Sequence, residues 1–133
     1  MQTATTEKPT RELTAREVYD RLVETSRAGR FPAIDETTAV CTYRAPDGRR
    51  CAVGLFLPDD AYTPDLEGSS IEDIRAKHPS VYACLPRALS ISDWRACQTA
   101  HDELARDWNH NAFVQQLTAV PAFAGFTPAP EVR

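Results

Sequence analysis

The residues able to do chemistry fall into two groups. Cys41, Cys51, Cys97 and His101 are the soft ligands and nucleophiles. Asp59, Asp60, Asp65, Glu67, Glu72 and Asp73 form an acidic stretch between Leu57 and Ile74 that holds no Lys or Arg. Cys97 and His101 are four residues apart, so on a helix they share a face. Two thiols from a hairpin with a Cys and a His from a helix would suit a tetrahedral zinc ion. The spacing speaks against it: nine residues lie between Cys41 and Cys51, where common zinc modules place about two to four. Burial in the core is the favoured role for all four, since free Cys is among the most buried residue types.

Two catalytic arrangements can be drawn. His101-Asp102 resembles the dipeptide of metal-dependent phosphohydrolases, but His78 and His110 do not extend it into a ligand set, and Asp102 is expected to face solvent. Cys51 with His101 could form a nucleophile and base if hairpin and helix pack together, but no third, orienting group is evident. The acidic loop could ligate Mg²⁺ or Ca²⁺. It could equally pair with Arg44, Arg49 and Arg50, or cap the helices it precedes. Capping is favoured, and Glu67-Gly68 is what it explains least. No phosphate-binding glycine loop, serine elbow or paired CxxC motif is present. No metal and no cofactor is expected.

Local signals position these residues. Thr14 and Glu17 make a capping box, flanked by Leu13 and Val18, and predict a helix over 15–28 ended by Gly29. Ala45-Pro46-Asp47-Gly48 predicts a type I turn with a left-handed Gly48. That turn sets Tyr43 opposite Cys51 and Cys41 opposite Val53 in a β-hairpin. Cys41, Tyr43, Cys51, Val53 and Leu55 would then face the core. Ser69 with Glu72 opens a short helix over 70–77, and Ser90 or Ser92 caps the strongest helix, 92–107. Trp94, Leu104 and Trp108 lie on its apolar stripe. A last helix spans 111–120.

The expected fold is α+β: a small antiparallel hairpin or sheet packed against several helices. It forms one domain over 13–126, between a flexible arm at 1–12 and a tail at 127–133. With 133 residues and a net charge of −4, the chain has the balance of a globular protein and no basic surface for nucleic acid. It shows no apolar run of membrane-spanning length and no apolar leader, so a cytoplasmic setting with four free thiols is expected.

The runs C-x-Y-R-x-P-D-G-x-x-C-A-V-G from Cys41, L-P-D-D-x-Y-x-P-x-x-E-G from Leu57 and H-D-x-x-A-x-x-W-x-x-x-x-F from His101 resemble a small uncharacterised domain of bacteriophage and bacterial genomes. The resemblance covers residues 15–126. It implies an accessory, phage-related role and brings no activity with it. A binding or regulatory module with an unknown protein or small-molecule partner is the leading expectation. The alternative is a small metal-dependent or Cys/His enzyme using the acidic loop and helix 92–107. Candidate site residues are Asp59, Asp60, Glu67, Arg44, Cys51 and His101.

Overall fold

The computed structural model describes residues 9–35 and 40–128. About half of this is helical. The α-helices are α1 (Ala15–Arg27), α2 (Ile71–Lys77), α3 (Pro79–Tyr82), α4 (Ile91–Glu103) and α5 (His110–Leu117). α4 packs on α2 at one side and on α5 at the other. α5 also meets α1, and α3 covers α2. Of the arm expected over 1–12, residues 1–8 lie outside the described residues, and Thr10–Glu12 form one 3₁₀ turn whose Arg11 carbonyl accepts from the Arg87 N–H at 3.0 Å.

Side-chain caps start four of the helices. Thr14 Oγ1 accepts from the Glu17 N–H and Glu17 returns the bond to the Thr14 N–H, closing the capping box of α1. Ser90 and Asp93 do the same for α4. Ser70, not Ser69, caps α2, and Asn109 caps α5. Each cap satisfies a donor the helix cannot, and its loss typically costs about 1 kcal/mol.

The expectation of an α+β fold with a β-hairpin is overturned. Extended pairing among the described residues is limited to Ile34 with Cys41, Asp35 with Val40, and a single bridge between Arg44 and Arg50. Two residues a side fall short of even a short strand, and the described residues carry neither hairpin nor sheet. The turn itself forms: Gly48 has φ 93°, and its N–H donates to the Ala45 carbonyl at 2.9 Å. The second strand fails at Cys51. Cys51, Ala52, Val53 and Gly54 are all buried, which a strand with one face open to solvent cannot arrange, because alternate side chains leave by opposite faces. Instead the Leu55 N–H turns back to the Cys51 carbonyl at 2.8 Å, and Gly54–Phe56 form a 3₁₀ turn. Gly54 permits this because a Cβ there would stand 2.1 Å from the Tyr43 carbonyl oxygen.

The core runs between these helices and the irregular segment. Trp94 is fully buried and its ring lies 5.5 Å from that of Phe56. Phe31 inserts among His101, Trp108 and Phe113, with ring centroids 5.4–5.5 Å away. Leu104 and Trp108 are only half-buried, because α4 stops at Glu103 and Leu104 is its C-cap. Trp108 therefore leaves the stripe. Its indole N–H donates to Ser26 Oγ at 3.1 Å, and Ser26 Oγ contacts His110 Nδ1 at 2.7 Å, tying α1 to α5.

Gly54 is expected to be the less replaceable of two neighbouring glycines. Gly54→Ala drives a methyl into backbone and should cost about 3 kcal/mol, the upper end for overpacking. Gly48→Ala meets open space and only the left-handed penalty of about 1–2 kcal/mol. Urea melts of the two variants test the order, and a Gly54→Ala loss smaller than that of Gly48→Ala would refute the close approach.

Candidate functional site

The acidic stretch is placed by two tight turns, Pro58–Tyr62 and the 3₁₀ turn Pro64–Leu66, followed by Gly68 at φ 82°. They aim Glu67 back at the segment before Gly48. Glu67 Oε1 accepts from the Tyr43 N–H at 2.8 Å, and Oε2 accepts from the Arg44 N–H at 3.1 Å and the Tyr62 hydroxyl at 2.5 Å. Burial, then this bond to a carboxylate, pushes the Tyr62 phenol up to about 12. Glu67 thus takes the place of a missing neighbouring strand, satisfying two backbone donors in succession.

Arg44 and Arg50 close the other side. Asp59 Oδ1 lies 2.9 Å from one Arg44 guanidinium nitrogen and 3.0 Å from one of Arg50. Arg44 also donates to the Leu57 carbonyl at 2.9 Å and stacks 4.6 Å over the Tyr62 ring. Asp60 is exposed and stands apart, lining a shallow hollow with Pro9, Arg11 and Cys84. Asp59, Asp60 and Glu67 therefore point three ways and do not converge as a hard cation requires.

His101 anchors the second cluster. The ring is fully buried on the inner face of α4. Its Nε2 accepts from the Ala33 N–H at 3.0 Å, and its Nδ1 is 2.9 Å from Asp102 Oδ1. A neutral imidazole that accepts at Nε2 carries its proton on Nδ1, so Nδ1–H donates to Asp102. Gln98 Nε2 donates to the same oxygen at 2.9 Å. The Cys41 thiol is a third donor to Asp102. Burial first, and then the Asp102 charge and this bond, push Cys41 up to about 11. Asp102, expected to face solvent, is half-exposed and gathers all three.

Cys41, His101 and Asp102 are the one group of three metal-ligating side chains close enough to share an ion among the described residues. They do not fit one. Nδ1 has no free lone pair while Nε2 serves Ala33, and a thiol ligand must give up its proton. The nucleophile arrangement fares no better. Cys51 is fully buried and pushed up to about 12 by that burial, and its sulfur accepts from the Gly54 N–H at 3.3 Å. Both nitrogens of His101 are engaged elsewhere. Cys97 is likewise buried and its thiol raised by desolvation. All four cysteines are free thiols; Cys41 and Cys84 are half-buried, not core.

What the arrangement leaves open is a cleft of about 220 Å³ between Cys41–Tyr43, Glu67–Glu72 and the outer face of α4. α4 contributes Arg95, Gln98, Thr99 and Asp102. Arg95 and Glu72 form an ion pair across it, and the Glu72 carboxyl is held below its usual range by its own backbone N–H and then by Arg95. Thr42, also in the lining, has a buried Oγ1 with no partner. Of the six candidate site residues read from sequence, only Glu67 lines this cleft, although Cys41, Glu72 and Asp102, also noted there, line it too. Arg95, Gln98 and Thr99 of α4 were missed, although Gln98 stands four residues before Asp102, a readable helical hydrogen-bond spacing.

Compared with protein-family models, with curated proteins and with solved structures, the chain matches none.

Two outcomes follow from this geometry. Glu67→Gln replaces an acceptor with an amide group that faces donors, and should cost about 1–3 kcal/mol in urea melts, with no Ca²⁺ or Mg²⁺ effect in either protein. The thiols set a pH dependence. Their folded values lie above the ordinary 9.0, so above that pH the unfolded chain releases protons that the folded chain keeps. Their stabilisation is complete below pH 9 and is lost as pH rises towards about 12. Melts at about pH 8 and about pH 11 should show a falling midpoint, and a smaller fall in Cys51→Ala. An equal fall in that variant would contradict the role given to Cys51.

Proposed function

We propose that this chain is a non-catalytic binding or regulatory module whose ligand seat is the cleft between Thr42, the Glu67–Glu72 segment and α4. The observation that carries the reading is how the reactive groups are used. His101, Cys51 and Glu67 each bond a backbone N–H of the fold. The cleft is open, and it brings Glu67, Glu72, Arg95, Gln98, Thr99 and Asp102 to one surface.

The lining indicates the ligand class. Glu67, Glu72 and Asp102 stand against a single guanidinium, that of Arg95, and no lysine. Such a site favours an uncharged or cationic molecule rich in hydrogen-bonding groups. At about 220 Å³ it is smaller than the usual 300–1,000 Å³ of drug-sized sites, so the ligand is small. A cytoplasmic setting suits the four free thiols. No helix among the described residues is long and apolar enough to cross a membrane. The phage-related accessory role rests on the sequence resemblance alone.

Ligand-observed NMR against a panel of small polyols, amines and zwitterions tests the reading. Thr99 is exposed on the cleft wall, so Thr99→Trp should fill the cleft and leave the fold intact. Hits that bind wild type and vanish in Thr99→Trp, at unchanged melting temperature, are expected. A panel without hits, or hits indifferent to the substitution, would remove the cleft as the seat.

A further inference from the structure

A second cavity, of about 240 Å³, lies where the end of α1 meets the Gly48 turn. It is lined by Thr25, Arg30, Gly48, Arg50 and Leu55. Two guanidiniums, a hydroxyl residue and no carboxylate make an unusual lining for a chain of net charge −4. We infer that this cavity binds a phosphate group, free or as a small monoester.

The chemistry follows from how each arginine is engaged. Arg30 is exposed, and no ion pair joins it to a carboxylate among the described residues. Arg50 touches one carboxylate, Asp59, through one guanidinium nitrogen, and the same Asp59 oxygen is shared with Arg44. Asp59 is 80% exposed, so water and salt weaken its hold on both. The planar guanidinium offers five N–H donors in a fork that matches phosphate oxygens. Arg50 therefore keeps donors that Asp59 does not use, and Arg30 keeps its whole side chain. Thr25 adds a hydroxyl able to donate to a third oxygen.

Two features oppose anion binding, and both are smaller. The carbonyl end of α1 lies beside Thr25 and carries about half a negative charge. Asp59 competes as a tethered anion, but a phosphate brings close to two charges against its one. Against these stand two full positive charges on one small cavity. Its volume is below that of sites for drug-sized ligands, which suits a single phosphate group better than a nucleotide. A separate cavity and an opposite charge make this inference independent of the cleft.

Titration calorimetry and thermal melts of the full chain with inorganic phosphate and with phenyl phosphate, at ionic strength fixed with chloride, test it. Binding and an upward melting shift are expected with phosphate beyond the chloride control. Equal response to both probes assigns recognition to the phosphate group alone. Response to phenyl phosphate only assigns the site to monoesters. Arg30→Gln and Arg50→Gln should each weaken binding about tenfold, the loss of a charge-assisted hydrogen bond. Arg30 is exposed, so its variant carries the test even if Arg50→Gln fails to fold. Asp59→Asn should bind as well or better. No response to either probe, full response in Arg30→Gln, or loss of binding in Asp59→Asn would each overturn the assignment.

Discussion

The constraint on which this structure depends is that the irregular segment between α1 and α2 must satisfy its buried backbone donors without a sheet. A buried N–H left unpaired costs about 1–3 kcal/mol, so such groups are almost always matched. Here side chains match them. Ala33 donates to His101, Tyr43 and Arg44 to Glu67, and Val53 to the Gln98 amide oxygen at 3.2 Å. Gly54 donates to Cys51. The same device recurs at the far end, where Asp93, already the cap of α4, accepts from the Ala122 N–H at 3.2 Å. α4 supplies three of these acceptors, which explains why it carries polar residues toward the segment it supports.

This use of side chains decides the chemistry left over. An imidazole bonded at both nitrogens cannot take up a substrate proton without releasing a backbone group. A carboxylate that receives two amide N–H groups and a phenol has little acceptor capacity left for a cation. Residues whose types suggest catalysis are thereby committed to the fold. Beside these committed groups, polar side chains remain available where the supporting residues turn outward, on the exposed face of α4 and along the rim formed by Glu67–Glu72. That is where the cleft lies.

The helices were legible because their signals are local. Thr14-x-x-Glu17 states a cap and its partner within four residues, and the structure closes that box. For α4 the structure decides between Ser90 and Ser92 in favour of Ser90 and adds Asp93 as its unread partner. Gly48 was legible for the same reason: Pro46-Asp47-Gly48 specifies its own turn. The hairpin was misread because Cys51, Val53 and Leu55 alternate as a strand would. The competing pattern, with Cys51 and Leu55 four apart around Gly54, is one turn of a helix-like bend. Nothing local arbitrates between them. The decision rests on the contact of Gly54 with the Tyr43 carbonyl, eleven residues away in the chain. Glu67 poses the same difficulty. Its partners at 43 and 44 are more than twenty residues off, so its role as a backbone acceptor leaves no mark in its own neighbourhood.

Net charge proved a poor guide to local chemistry for a related physical reason. At physiological salt, exposed charges are screened beyond about 8 Å. A ligand in either cavity therefore responds to its lining and not to the total of −4. The stretch from Cys41 to Leu55 borders both cavities, and its neighbours give them opposite signs: carboxylates from the Glu67 segment and α4 on one, arginines from the end of α1 and from the turn itself on the other. Asp59 stands between these regimes, holding Arg44 and Arg50 together from an exposed position. An exposed carboxylate shared by two guanidiniums contributes little stability. Its effect is instead on recognition, because it sets how much of the arginines' donor capacity an incoming anion must compete for.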